Sequence, residues 1–323
     1  MSERIKTIEP PAESLVDDVA CELVQVEQEG GLVGWARWFK GKQEIKGSDP
    51  FIRGVVYLHG IQSHGGWFLR SCDYLRNQGM AVLAPDRRGS GLNAEERGHC
   101  DSPKQLLEDV DCCVQWLRDK TGLEKVDLVA VSWGGKLALV YAARQPEKVR
   151  SAALVAPGLK ARIDIGLAEK IQIGAEGLLT PKKRHEIPLN DPQLFTANPA
   201  MLHFLENDPL KLTEATASFF ITSRRLDMQV PKAVAEITKQ IQHAHDKRGH
   251  GTQTTMPVYL FLAEHDRIID NEATIKLLKP ALKPIHEIST PAKIYQGAHH
   301  TLDFEAEPGE FFADLARILE RND

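Results

Sequence analysis

Between residues 53 and 158 the chain alternates short apolar runs with stretches of helical periodicity. No other feature restricts its fold as much. "RGVVYLHG", "MAVLAPD", "KVDLVAVS" and "RSAALVAPG" are short, rich in β-branched residues and without a polar face. Between them, "WFLRSCDYLRNQG" stops at Gly79, and "SPKQLLEDVDCCVQWLRDK" opens on Ser102 with Pro103 in its first turn. "WGGKLALVYAARQPEKV" follows the third strand. A strand that is apolar on both faces must be covered on both faces, and alternating helices supply the cover. The pattern predicts an α/β fold built on a doubly wound, mostly parallel sheet. "PVYLFLAEHD" and "AKIYQGAHH" extend it as later strands, with "NEATIKLLKPAL" and "GEFFADLARILERN" as helices. "CELVQVEQ" and "LVGWARWFK", around Gly30-Gly31, read as an antiparallel hairpin ahead of it.

The rhythm breaks between Gly158 and Met256, an interval far longer than a crossover between parallel strands needs. Helix-like pieces such as "NPAMLHFLEN", "LTEATASFFITSRRL" and "KAVAEITKQIQHAH" lie inside it. The expected organisation is a flexible N-terminal arm over 1–18, a sheet core over 19–157 and 257–323, and an inserted helical cap over 158–256. The 323 residues, 42% of them apolar, suffice for a large core without staples. A net charge of −5 argues against nucleic acid as the main partner and against general attraction to anionic lipid. No run approaches the roughly 18 apolar residues of a membrane span, and the polar, acidic start lacks the form of a signal peptide. A cytoplasmic protein with no integral membrane association is expected. The five cysteines (Cys21, Cys72, Cys100, Cys112 and Cys113) match no zinc spacing and read as free thiols in a reducing compartment.

"AVSWGGK", Ala130 to Lys136, places Ser132 between a strand and a glycine-rich helix start. A sharp turn there lifts the hydroxyl above the sheet and aims the helix N-terminus at the reacting centre. The usual elbow has the form G-x-S-x-G, and Ala130 stands in place of its first glycine. "LHGIQSHGGW" follows an earlier strand and is placed to present the Ile61 N–H toward the same point as the Trp133 N–H, two donors for a developing oxyanion. A serine nucleophile needs a base, and the base needs an acid. "FLAEHD" ends one later strand at Asp266, and "YQGAHH" ends another at His299 and His300. The chain order serine, aspartate, histidine fits hydrolases of this architecture. His59 and His64 read as turn-stabilising residues. "HAHDKRGH", with His243, His245, Asp246 and His250, reads as a solvated helix end rather than a metal site. Arg224 and Arg225 read as the exposed face of a helix carrying Phe219 and Phe220 on its other side.

"HGIQSH", "APDRRGSG", "RGHCDSPKQLLEDV", "AVSWGGKLAL", "AEHDRIID" and "GAHHTLDFE", in that order, resemble the α/β-hydrolase superfamily. The resemblance is closest to its monoacylglycerol-lipase and lysophospholipase-like serine hydrolases, and it covers the chain from about residue 20 onward. It implies Ser132 as nucleophile, Asp266 as acid and His300 as base, with the Ile61 and Trp133 amides as oxyanion donors. His299 and Asp270 are the alternatives for base and acid, and Asp86 falls in a structural loop. It also implies a serine esterase acting on a small or lipid-like ester, with no cofactor and no metal. Trp133 departs from the smaller residues frequent in this branch and also occurs in proline-iminopeptidase-like relatives. A peptidase, an acyltransferase on the same triad and a non-catalytic binding protein are the rival readings. The Trp133 side chain would either narrow the acyl pocket or pack under the cap.

Overall fold

The computed structural model describes residues 21–27, 31, 33–41, 53–246, 256–283 and 292–320. The expected arm over 1–18 lies outside them. The described residues begin with the hairpin β1 (Glu22–Glu27) and β2 (Val33–Phe39). The chain continues through β3 (Gly54–Leu58), α1 (Leu69–Asn77), β4 (Ala81–Pro85), α2 (Pro103–Thr121), β5 (Val126–Val131), α3 (Gly134–Arg144) and β6 (Val149–Val155). Next come α4 (Leu167–Leu179), β7 (Arg184–Glu186), α5 (Pro199–Asn207), β8 (Glu214–Thr216) and α6 (Ala217–Asp246). It closes with β9 (Val258–Ala263), α7 (Asn271–Leu278), β10 (Lys293–Tyr295) and α8 (Gly309–Glu320).

Eight strands form one sheet in the order β1-β2-β4-β3-β5-β6-β9-β10. Pairing is parallel from β4 to β10, and β2 joins antiparallel to both β4 and β1. Every residue of β3, β4, β5 and β9 is buried, as strands covered on both faces must be. Side chains alternate between the two faces. Leu128 and Ala130 of β5 enter the layer under α2, α3 and α6, with Leu106, Leu137 and Phe219. Val129 and Val131 enter the opposite layer with Leu75 of α1 and Phe311 and Leu315 of α8.

The helix signals act where they stand. Ser102 Oγ accepts from the Gln105 N–H at the start of α2, Pro103 fills the first turn, and Gly122 ends the helix at φ +75°. Cys113 of that helix is buried and its neighbour Cys112 half-buried, as adjacent positions on an amphipathic helix require.

The elements α4 to α6 all lie between β6 and β9. β7 and β8 pair antiparallel there, a small sheet the periodicity does not reveal. The helix-like pieces on either side of Pro231 join into the single helix α6, with Pro231 inside it. A proline removes one intrahelical bond, but α6 packs along α3, and tertiary contact overrides a local breaker. Polar contacts pin this region to the sheet. Asp208 accepts from His64 Nε2 at 3.1 Å and Trp67 Nε1 at 2.7 Å, and the Thr216 N–H donates to the Gly98 carbonyl at 2.9 Å. No described helix is long and apolar enough to cross a membrane.

Candidate active site

Parallel strands place all their C-terminal ends on one edge, and β3, β5, β9 and β10 each end there beside a residue of interest. Leu58 pairs with Ala130 and Ala130 with Leu154, so the ends of β3, β5 and β6 are level. β3 leads on to β4 on one side and its neighbour β5 to β6 on the other, so the two connections diverge and open a crevice at that edge.

Ser132 sits at φ +52°, left-handed backbone that costs a non-glycine residue roughly 1–2 kcal/mol. Three hydrogen bonds hold it there. Its N–H donates to the Val155 carbonyl at 2.9 Å, and its carbonyl accepts from the Gly135 N–H at 2.9 Å and the Gly158 N–H at 2.7 Å. α3 presses close behind. A Cβ on Gly134 would lie 2.7 Å from the His59 carbonyl oxygen, and one on Gly135 would lie 2.6 Å from Pro157 Cβ. Ala130 sits wholly buried two residues before Ser132, so its methyl finds room in the apolar layer where the usual pattern has glycine. A Cβ on Gly60 would touch Ser132 Cβ at 3.3 Å, which places the loop before Ile61 against the serine.

Asp266 and His300 meet at 2.8 Å, Oδ2 to Nδ1, and both are buried. The other carboxylate oxygen, Oδ1, accepts from the Ile268 and Ile269 N–H groups, each at 2.8 Å. The aspartate is thereby fixed as an acceptor and assigns the proton to Nδ1 of His300. Nε2 then carries the lone pair. It is buried and has no hydrogen-bond partner among the described residues. His300, Ser132, Gly60 and Ile61 line one small cleft. His299 turns instead to Glu305 at 3.2 Å, and Asp270 caps α7 by accepting from the Ala273 N–H.

The remaining candidates do other work. Buried Asp86 accepts from Arg37 Nη1 and the N–H groups of Gly65 and Leu92. Burial resists its ionisation, but Arg37 and two neighbouring histidines hold its carboxyl below the ordinary range. His64 accepts from the Gly66 N–H and bonds Asp208. His243 is exposed near the end of α6, while the side chains of His245 and Asp246 and all of His250 lie outside the described residues.

His59 bonds the Gly60 carbonyl through Nδ1 and accepts the Arg87 N–H at Nε2, both at 2.8 Å. Burial first, and the Arg87 charge second, push its imidazolium down to about 3 from 6.5. The folded value lies below the unfolded one, so unfolding takes up a proton. Stability is complete above the unfolded value and is lost as pH falls toward the folded one, by up to about 5 kcal/mol from this group. His59→Gln is expected to flatten the fall of the urea midpoint between about pH 6 and 4. An unchanged slope would remove His59 from the acid response.

The Trp133 side chain packs under α6. Its Nε1 donates to Ser223 Oγ at 2.8 Å, and its ring stacks on Phe219 at 5.4 Å. It also forms one wall of a cavity of about 860 Å³ that begins at Ser132 and runs beneath α4 and α6. Leu159, Ile163, Ile173, Leu189, Phe220 and Ile269 supply apolar wall. Arg224 and Arg225 are exposed, as expected from their helix face, yet they border this cavity, with Phe220 beside them inside it. Sequence reasoning missed the Lys136–Asp227 ion pair in the same wall, and it missed Arg87, whose guanidinium lies 4.7 Å from the Trp133 ring centre. The doubled arginine of "APDRRGSG" was the only visible signal for the latter.

The sheet, the elbow at Ser132 and the crevice define an α/β hydrolase. The Hydrolase_4 family, described as serine aminopeptidase, S33, matches residues 52–307, and the chain belongs to it. Proteins of that superfamily to which the chain is similar include lipases. The chain is 24% identical over 269 residues to a monoacylglycerol lipase of Mycolicibacterium smegmatis, covering 80% of this chain and 85% of that one. It is 28% identical over 219 residues to "Abhydrolase domain-containing protein abhd-5.2" of Caenorhabditis elegans, covering 66% of this chain and 49% of that one. The chain spans about half or less of the length of the first curated relatives it matches. A soluble variant of monoglyceride lipase from Saccharomyces cerevisiae, solved with a substrate analogue, shares the fold. Its TM-score is 0.74 at 17% identity, covering 97% of each chain.

Proposed function

We propose that the protein is a serine ester hydrolase acting on a small or lipid-like carboxylic ester. The observation that carries this reading is His300. It is aligned by Asp266 and carries an unpartnered Nε2, in the cleft that also holds Ser132. In the proposed cycle Ser132 Oγ attacks the ester carbonyl while His300 Nε2 takes its proton. The Ile61 and Trp133 amides receive the oxyanion, and the proton passes to the departing alkoxide as the acyl-enzyme forms. A water molecule deprotonated by the same Nε2 then attacks the acyl carbonyl, and Ser132 leaves with its proton restored. The apolar cavity walls suit an acyl chain.

A peptidase acting on free amino termini would need unpaired carboxylates facing Ser132. The cavity offers Asp227 paired with Lys136, Asp164 paired with Lys170, and Asp270 engaged as a helix cap. Lys160, Arg224 and Arg225 border it as well, so the charge balance disfavours an ammonium group. The test is fluorophosphonate labelling of the folded protein, with the adduct mapped by peptide mass. It is followed on the same sample by comparing an acyl ester with an aminoacyl amide. An adduct on Ser132 and preference for the ester are expected. A folded protein that does not label, or an adduct elsewhere, would sink the reading.

A further inference from the structure

Arg87 follows β4 and reaches across to the loop after β3. Its Nη1 donates to the Gly60 carbonyl at 2.8 Å and its Nη2 to the Ile61 carbonyl at 2.9 Å. The guanidinium plane is wedged against aromatic rings, 4.7 Å from the Trp133 ring centre and 5.2 Å from that of Phe219. Its backbone N–H is also engaged, donating to His59 Nε2, while His59 Nδ1 bonds the same Gly60 carbonyl at 2.8 Å. The Gly60 oxygen therefore receives two bonds, one from each residue of an interlocked pair. Burial draws the Arg87 guanidinium down to about 10, still cationic at neutral pH.

The Gly60 carbonyl and the Ile61 N–H are the two ends of one planar peptide unit. In a trans peptide they point in opposite directions, so fixing the carbonyl fixes where the N–H points. The second arm of the fork fixes the next carbonyl as well, so both peptide units flanking the Ile61 Cα are held. A cation bonded to the carbonyl oxygen also draws electron density through the amide and makes its N–H a stronger donor.

We propose that Arg87 is a positioning residue for the oxyanion site: its two-pronged hold on the Gly60 and Ile61 carbonyls aims the Ile61 N–H at the substrate oxygen. This rests on the serine-hydrolase reading above. Arg87 touches no reacting atom and acts through the loop. A lysine keeps the charge but lacks the planar fork, so it cannot hold both carbonyls in one geometry.

The experiment compares wild type with Arg87→Met, Arg87→Gln and Arg87→Lys. Active sites are first counted by fluorophosphonate titration, and kcat is expressed per titrated site. All three variants are expected to lose about 10–100-fold in kcat with KM within about twofold, less than the loss of a whole oxyanion donor. Affinity for a trifluoromethyl ketone, which forms an oxyanion on the serine, is expected to fall by the same factor as kcat/KM. A purely structural role gives another result: fewer titratable sites and a lower Tm, but unchanged kcat per site and unchanged ketone affinity. That result in whichever variants fold would overturn the positioning role, and full recovery in Arg87→Lys would overturn the fork. Failure of wild type to label at Ser132 would instead overturn the hydrolase reading and this inference with it.

Discussion

Ester turnover by Ser132→Ala is expected to fall by about 10⁶ in kcat, the size of effect seen when a triad nucleophile is removed. The variant is expected to fold, because Ser132 is held by backbone bonds through its own N–H and carbonyl rather than by its hydroxyl. Alanine accepts the left-handed φ of +52° no worse than serine does. Residual turnover above the rate in water should persist, since the amide donors and cavity remain. Stopped assays with single-turnover controls measure the loss. A folded Ser132→Ala with wild-type turnover would place the chemistry on another residue.

Asp266→Asn is expected to cost about 10⁴ in kcat while leaving the fold in place. The direction follows from the hydrogen bonds. Oδ1 of Asp266 accepts from two backbone N–H groups, so an asparagine must keep its carbonyl oxygen there. Its NH₂ group then faces His300 Nδ1, which becomes an acceptor. The imidazole proton moves to Nε2, the atom that must receive the serine proton. The loss is therefore one of tautomer, and fluorophosphonate labelling should slow in the same proportion as ester turnover. A variant with near wild-type labelling would show that Asp266 does not set the His300 proton.

Much of the fold was legible in the chain because its signals are local. Strands apolar on both faces demand cover from two sides, and Ser102 and Pro103 mark the start of α2 within a few residues of themselves. Between β6 and β9 the helix-like pieces were legible, but not how they join or pair. β7 and β8 are three residues each and pair across an intervening helix, so neither carries a period. Pro231 reads as a break from its neighbours alone, whereas packing of α6 on α3 decides otherwise.

At the site, the sequence by itself determined the residue types and their chain order: a serine after one strand, an aspartate and a histidine after two later ones. Parallel pairing then brings strand ends to one edge wherever they lie in the chain. The resemblance selected His300 over His299, and the tertiary structure supplies the contacts that distinguish these neighbours. In the loop after β10, His300 meets Asp266 while its neighbour His299 turns to Glu305. Only the tertiary structure decided that Trp133 packs beneath Phe219 and that Arg87 grips the loop before Ile61. Those contacts join residues far apart in the chain, and their strength depends on distance and angle, which residue order does not contain.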